Sequence, residues 1–428
     1  MANWTTPSNL NKLNVSEVDI RAGFSKFTYY ESLFSPHITA TLTFMDTGNS
    51  FKAGSGKDVQ ERVGTVFSSV PSLENSEVVG IIENESGRLS FDDDYPFIVT
   101  KINRAEDNKR QVISLRLSTK YGIKNENSAV YEKYYNNITN SVKNILEKKL
   151  EISTTKIKTD PTKNSQSFIG GGKRPFDLIL ELCRKSIPIQ GSPGFLFYEN
   201  KEGFNFKAID TLIASETVGS YIYSDVATFC NASNFRILSY NPQKDGDILS
   251  ALRAGMYQTK NIFFDPYSFD YNEVYVKLSD TKIKRLGSEE ITKIYQDTQE
   301  TFTRTHSFII DSGNMEVGIT SAHNTFKNNQ PLYWQAESVM RYNLLYSKVI
   351  DIVIPCNLKL KAGDTINCSF PKITDNEPQQ GILDETTSGK YLILHLAHNF
   401  TSDGRNGSTT HLSIVRDTYG LYTTEGGN

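Results

Sequence analysis

The sequence predicts a mainly β protein with α+β insertions, and three observations carry that prediction. Tyr and Phe are frequent, at 22 and 24 residues against two Trp, and Thr, Ser and Asn are abundant, a bias toward strands and turns. Between His37 and Asp46, the residues Ile38, Ala40, Leu42 and Phe44 alternate with three threonines, the period-two pattern of a strand with one buried face. From about residue 125 to 220 the texture changes to short amphipathic helices around a hairpin. A chain of 428 residues exceeds one ordinary core and predicts two to four domains.

After the His37 to Asp46 strand, Asp46-Thr47-Gly48-Asn49 supplies a turn. Strands are predicted over 78–83, 97–103 and 111–118, the last two flanking a polar stretch, 104–110, as a hairpin. Ile138, Val142, Ile145, Leu146 and Lys149 recur at helical spacing over 137–150. A second helix is predicted over 174–185, with Pro175 in its first turn and Pro188 beyond its end. A hairpin follows, with strands at 195–198 and 204–206 around a 199–203 turn. Residues 245–254 read as a helix and 272–278 as a strand, while 280–304 are polar and charged and predict an exposed or extended segment outside any core. From Pro331 onward, Leu332, Ala336, Val339, Met340 and Asn343 share a helix face. Leu358 and Leu360 alternate with lysines as a strand, Ala362-Gly363-Asp364 turns the chain, and Ile366, Cys368 and Phe370 return. Strands at 391–396 and 411–415 close the set.

The ends of the two β-rich regions resemble each other. Phe97 to Ile102, a polar turn and Ser114 to Leu117 lead to Tyr121-Gly122, and Leu392 to Ala397, a polar turn and Leu412 to Val415 lead to Tyr419-Gly420. The functional reading is two copies of one β module; the bland one is that any two hairpins look alike.

Composition and motifs argue against several functions. The net charge of -3 carries no domain-scale basic excess of the kind nucleic-acid binding needs. The Lys-rich run 143–149 reads as a solvated helix face. Cys183, Cys230, Cys356 and Cys368 form no CxxC pair and predict thiols in a reducing cytoplasm. The first residues lack a signal-peptide pattern, and no apolar run approaches the ~20 residues of a membrane helix. Gly170-Gly171-Gly172-Lys173 is followed by Arg174-Pro175 and lacks the hydroxyl of a phosphate loop, so it reads as a flexible linker into a helix. His395 and His398 fall on opposite faces of a strand, with His411 nearby, and build no metal site. Asp92-Asp93-Asp94 lacks the spaced ligands of a calcium loop and reads as a charged turn. Glu83 and Glu85 have no cleft in view for glycoside hydrolysis, and no GxSxG occurs. No catalytic, cofactor or metal residue is therefore nominated, and the chain reads as a non-enzymatic assembly protein.

Four segments carry a family resemblance. They are Arg174-Pro175-Phe176-Asp177, the run from Gly194 to Phe204, the run from Pro331 to Ser338, and the C-terminal set from Gly389 to Ile393, His398 to Phe400 and Leu412 to Gly420. In this order, over most of the chain, they resemble the central baseplate hub proteins of contractile-tailed phages. The resemblance implies two tube-like β-barrel domains per chain, at 1–122 and, with a preceding helix, at 331–428. It places an α+β insertion at 123–218, and linking strands with an irregular region at 219–330. It also implies a homotrimer whose six similar domains face a sixfold tail tube and whose threefold ring receives a central spike. DNA would pass without specific binding, wedge and tape measure proteins would be neighbours, and the place would be the virion tail, after assembly in the host cytoplasm. The rivals are a hub of a type VI secretion or phage-like contractile particle, a tail-associated cell-wall hydrolase, and a monomeric β-rich binding module. The segments 280–304 and 371–390 follow no strand pattern and read as lineage-specific contacts.

Overall fold

The computed structural model describes residues 6–418 apart from 47–49, 54–59, 64–72, 93, 108–109, 224–235, 246–247, 267–268, 270, 279–280, 282, 288–303, 310–333, 373–382, 385 and 403–406. The fold is mainly β with few helices. The first β region holds β1 (Asn9–Val15), β2 (Phe24–Ser32), β3 (Thr39–Asp46), β4 (Glu77–Asn84), β5 (Gly87–Phe91), β6 (Phe97–Asp107) and β7 (Arg110–Thr119). Antiparallel pairing orders four of them β6-β7-β3-β2. The threonine alternation fixes how β3 sits: Ala40, Leu42 and Phe44 turn into the core with Leu117, Leu115 and Ile113 opposite them, while Thr39, Thr41 and Thr43 face outward. The start of β6 also pairs with β4, and β4 with β1 and β5.

The middle body contains α1 (Lys120–Glu126), α2 (Ile138–Lys149), α3 (Pro175–Lys185), β8 (Phe195–Asn200), β9 (Gly203–Ala208) and α4 (Ile209–Ala214). Asn137 caps α2 by accepting from the Thr139 amide at 3.0 Å, and Lys148 and Lys149 sit in its last turn, so both helix ends are complemented. Ile138, Val142, Ile145 and Leu146 pack with Phe176, Ile179 and the phenylalanines of β8 and β9 into a separate core.

The second β region combines β10 (Thr217–Tyr223), β11 (Ser239–Asp245), β12 (Lys348–Pro355), β13 (Thr365–Ser369), β14 (Gly389–Thr401) and β15 (Gly407–Arg416). Its antiparallel order is β14-β15-β12-β11. In both regions the closing hairpin comes first, followed by two earlier strands in reverse chain order. The leading strand of each hairpin carries a register shift, between Val99 and Lys101 in β6 and between Ile393 and His395 in β14. β2 pairs with β14 over Lys26 to Ser32, so both regions join in one sheet, β6-β7-β3-β2-β14-β15-β12-β11, over a shared core. Between α5 (Ile248–Arg253) and α6 (Gln335–Leu345) lies a small sheet of Gln258–Phe264, Tyr271–Lys277 and Arg304–Ile309.

Several expectations need correction. Strand structure runs through 104–107 and resumes at Arg110, so the first hairpin is longer than its polar sequence suggests. Glu199 and Asn200 belong to β8 and are buried: one Glu199 oxygen accepts from the distant Ile38 amide and Thr119 hydroxyl, and Asn200 Oδ1 accepts from the Glu202 amide of the turn that follows. Leu358 lies in a turn and Leu360 just past it: the Leu358 backbone is taken up by Lys201 of the middle body and by Ser86, and the Leu360 amide donates to the Asn357 carbonyl. Ile283 and Leu286 are buried within a stretch expected to lie outside any core. Gly170 to Gly172 form a tight turn with φ of +63° and +78° at the last two, against the Val130 backbone, and not a flexible linker. Thr47 to Asn49, Cys230, Leu332 and Tyr419-Gly420 lie outside the described residues.

A candidate assembly surface

The joint between the two β regions is built from β2 and β14. On its buried face Phe27 lies opposite Phe400 with ring centroids 6.1 Å apart, and Tyr29 stacks on His398 at 6.0 Å. On its other face the Thr28 hydroxyl donates to Asn399 Oδ1 at 2.9 Å. His398 is buried, shares a 2.8 Å contact with Thr410 Oγ1, and burial pushes its pKa down to about 3, so it is a neutral core imidazole.

The outward face of the joined sheet is a polar trough. Tyr30, Thr39, Asn241, Asp351, His395 and His411 border a depression of about 670 Å³ within it. Burial lowers the pKa of both His395 and His411, which keeps these imidazoles uncharged at neutral pH. By register Lys26, Lys101, Arg116 and Lys244 face outward together with Asp351, among threonines, serines and asparagines, so the charged side chains of this face are mainly basic. Beside the trough residue His395, Phe34 lies 6.4 Å away and stacks on Tyr346, which follows α6, at 5.5 Å.

A buried carboxylate holds the three bodies together behind this face. Glu31 on β2 accepts from Tyr29 Oη at 2.7 Å, from the Lys201 amide of the middle body at 2.7 Å, and from the Ala362 amide of the second β region at 2.8 Å. Burial raises its pKa to about 7 against the pull of these donors. Glu199 reaches the other way, from β8 to the Ile38 amide at 2.8 Å and the Thr119 hydroxyl at 3.0 Å, while its second oxygen has no partner. Burial holds Glu199 well above the usual carboxylate range. Gly363, at φ +92°, brings the 362–364 turn against Tyr198, where a Cβ would collide with the phenol oxygen. On the far side, fully buried Arg341 of α6 lies 3.0 Å from Asp210 and 3.1 Å from Asp417.

The residues weighed for chemistry are scattered. His395 and His398 sit on opposite faces of β14 as their spacing predicts. The Tyr95 amide donates to the Asp92 carbonyl at 2.9 Å, which fits a turn there. Among the described residues no group of three or more His, Cys, Asp or Glu is placed to hold a metal ion, and no helix is long and apolar enough to cross a membrane. Glu31 and Glu199 were missed by sequence reasoning. The only local signal was an acidic residue amid aromatics, in Tyr29-Tyr30-Glu31 and in Phe197-Tyr198-Glu199.

No family model and no curated protein sequence matches the chain. Its structure is similar to that of a tail protein from Neisseria meningitidis MC58, with 10% identity and a TM-score of 0.56 over 96% of this chain and 97% of that one. It is also similar to the 43 kDa tail protein of prophage MuSo2 from Shewanella oneidensis, with 11% identity and a TM-score of 0.54 over 96% and 99%. Over almost its whole length, the chain therefore has the fold of phage tail proteins, as expected of a baseplate hub.

Proposed function

We propose that the chain is the structural hub of a phage tail baseplate: a homotrimeric ring that adapts the sixfold tail tube to a threefold central spike and continues the DNA channel. One observation carries this reading. The same four-strand winding occurs twice in one chain, and the two copies are joined edge to edge in one sheet. Three chains would present six such stations to a tube, while the rest of each chain keeps threefold repetition for a spike.

The division into tube-like barrels at 1–122 and 331–428, an α+β insertion at 123–218 and a linking region at 219–330 is part of the proposal. The pairings of β10 with β13, of 236–237 with β10, and of β11 with β12 support counting those linking strands with the second barrel. They support the barrel reading, because the path β10, 236–237 and β11, β12, β15, β14, β13 returns to β10. The polar trough would line the channel, through which DNA would pass without specific binding. Tube and spike proteins, and beyond them wedge and tape measure proteins, would be the partners in the virion tail after assembly in the host cytoplasm. No step of chemistry is assigned.

The test is the mass of the purified chain by light scattering at several concentrations, alone and with a spike protein. The expected outcome is three times the 48.2 kDa chain, alone or on adding the spike. A persistent monomer with either would overturn the reading.

A further inference from the structure

The joint inside the chain is a template for the joint between chains. Pairing assigns each strand of the first set a counterpart in the second. The register shifts align Lys101 of β6 with His395 of β14, and their partners align Leu115 of β7 with Leu412 of β15. Leu42 lies opposite Leu115 and Ile352 opposite Leu412, which aligns β3 with β12. Phe27 lies opposite Leu42 and Tyr240 opposite Ile352, which aligns β2 with β11. Within the chain β2 is joined to β14, the counterpart of β6. Among the described residues, β11 has no strand on its outer edge, and neither has the part of β6 beyond Thr100. These are the two ends of the eight-strand sheet, and each is the counterpart of a strand already used in the internal joint.

We propose that β11 of one copy pairs antiparallel with β6 of the next, in the register of β2 on β14. This rests on the ring reading above and names its seam. The internal pair Thr28 and Asn399 translates, position by position, into Asn241 opposite Ala105 of the neighbouring copy. Both residues are exposed in the single chain, as an unmade joint requires. Their side chains share one face, since Thr28 and Asn399 do and the counterparts keep the same alternation. An unpaired edge of hydrogen-bonding backbone is the usual template for strand addition, and a head-to-tail joint repeated by one operator closes a ring. Pro242 lacks an N–H, so the strand brings one donor fewer to its pairings than β2 does.

Directly opposed residues on antiparallel strands bring Cβ atoms to about 4.5–5.5 Å, close enough for a disulfide after small adjustment. The experiment is mild oxidation of the full-length double variant Ala105→Cys/Asn241→Cys, run on a non-reducing gel beside each single variant and beside Lys101→Cys/Asn241→Cys, which is off register. Light scattering of each variant is recorded before oxidation. The expected result is covalent species that stop at three chains in the in-register pair alone. A trimer by scattering that gives no cross-link, or cross-links as well off register, overturns the seam and leaves the ring. A monomer that gives no cross-link at any concentration, alone or with spike, overturns both.

Discussion

Glu31 receives three donors and no bonded cation, so its two oxygens are committed in a way a glutamine cannot copy. In Glu31→Gln the side-chain NH2 must face either the Lys201 or the Ala362 amide, leaving one buried N–H without an acceptor. The expected loss is about 1–3 kcal/mol in urea unfolding at pH 7. Glu199→Gln is expected to cost less, because one oxygen keeps both donors and the NH2 replaces an oxygen that has no partner. The pH dependence has a definite sign. Folded Glu31 keeps its proton up to about pH 7, against an ordinary value of 4.5. Its contribution to stability is therefore full below pH 4.5 and lost as pH rises through 7. Buried His398, with its pKa pushed to about 3, works the opposite way: its contribution is present above 6.5 and lost as pH falls through 3. The two overlap, so the clean measurement is the stability difference between wild type and Glu31→Gln, expected to be larger at pH 5 than at pH 8. Arg341→Met strands Asp210 and Asp417 in a buried site and is expected to cost about 3–5 kcal/mol by the same unfolding assay.

At the level of elements, strand position decides what a change costs. β14 is flanked by β2 and β15, and Ala397 lies opposite Tyr30 on one side and His411 on the other. Ala397→Pro removes a ladder N–H from this central strand and is expected to cost about 3 kcal/mol or more, read as a lowered urea midpoint. Gln243→Ala, on the exposed bulge of β11, is expected to change it by less than about 0.5 kcal/mol. The elements that were legible in the sequence are those whose pattern is local. α2 shows a complete apolar stripe, β3 a strict alternation, and α3 a proline at its start. β12 carries an equally clear alternation at Ile350, Ile352 and Ile354. Leu358 and Leu360 mimic a strand because both are buried, yet Lys201 Nζ holds the Leu358 carbonyl at 2.5 Å and Ser86 the Leu358 amide at 2.8 Å. Glu199 reads as a turn residue because its acceptors' donors, Ile38 and Thr119, are far away in the chain.

For the whole molecule, the balance of charge on the trough bears on what it can pass. Lys26, Lys101, Arg116 and Lys244 against Asp351 leave it a basic excess, so the assembled protein is expected to bind duplex DNA weakly, with an affinity that falls as salt is raised, measured by fluorescence anisotropy. Placing lysines at Thr41 and Ser413, both on the outward face, should strengthen that binding and steepen its salt dependence. DNA held tightly by the unaltered protein would instead contradict a channel. The sequence by itself determined the β-rich class, the texture of the middle body and the echo between the two closing hairpins, because alternation and helical spacing are set by near neighbours along the chain. Only the tertiary structure decided that the two regions share one sheet through β2 and β14, that two buried carboxylates tie three bodies together, and that one strand edge is left at each end. Those features arise from hydrogen bonds between segments tens to hundreds of residues apart, and edge pairing uses backbone groups that every sequence carries alike.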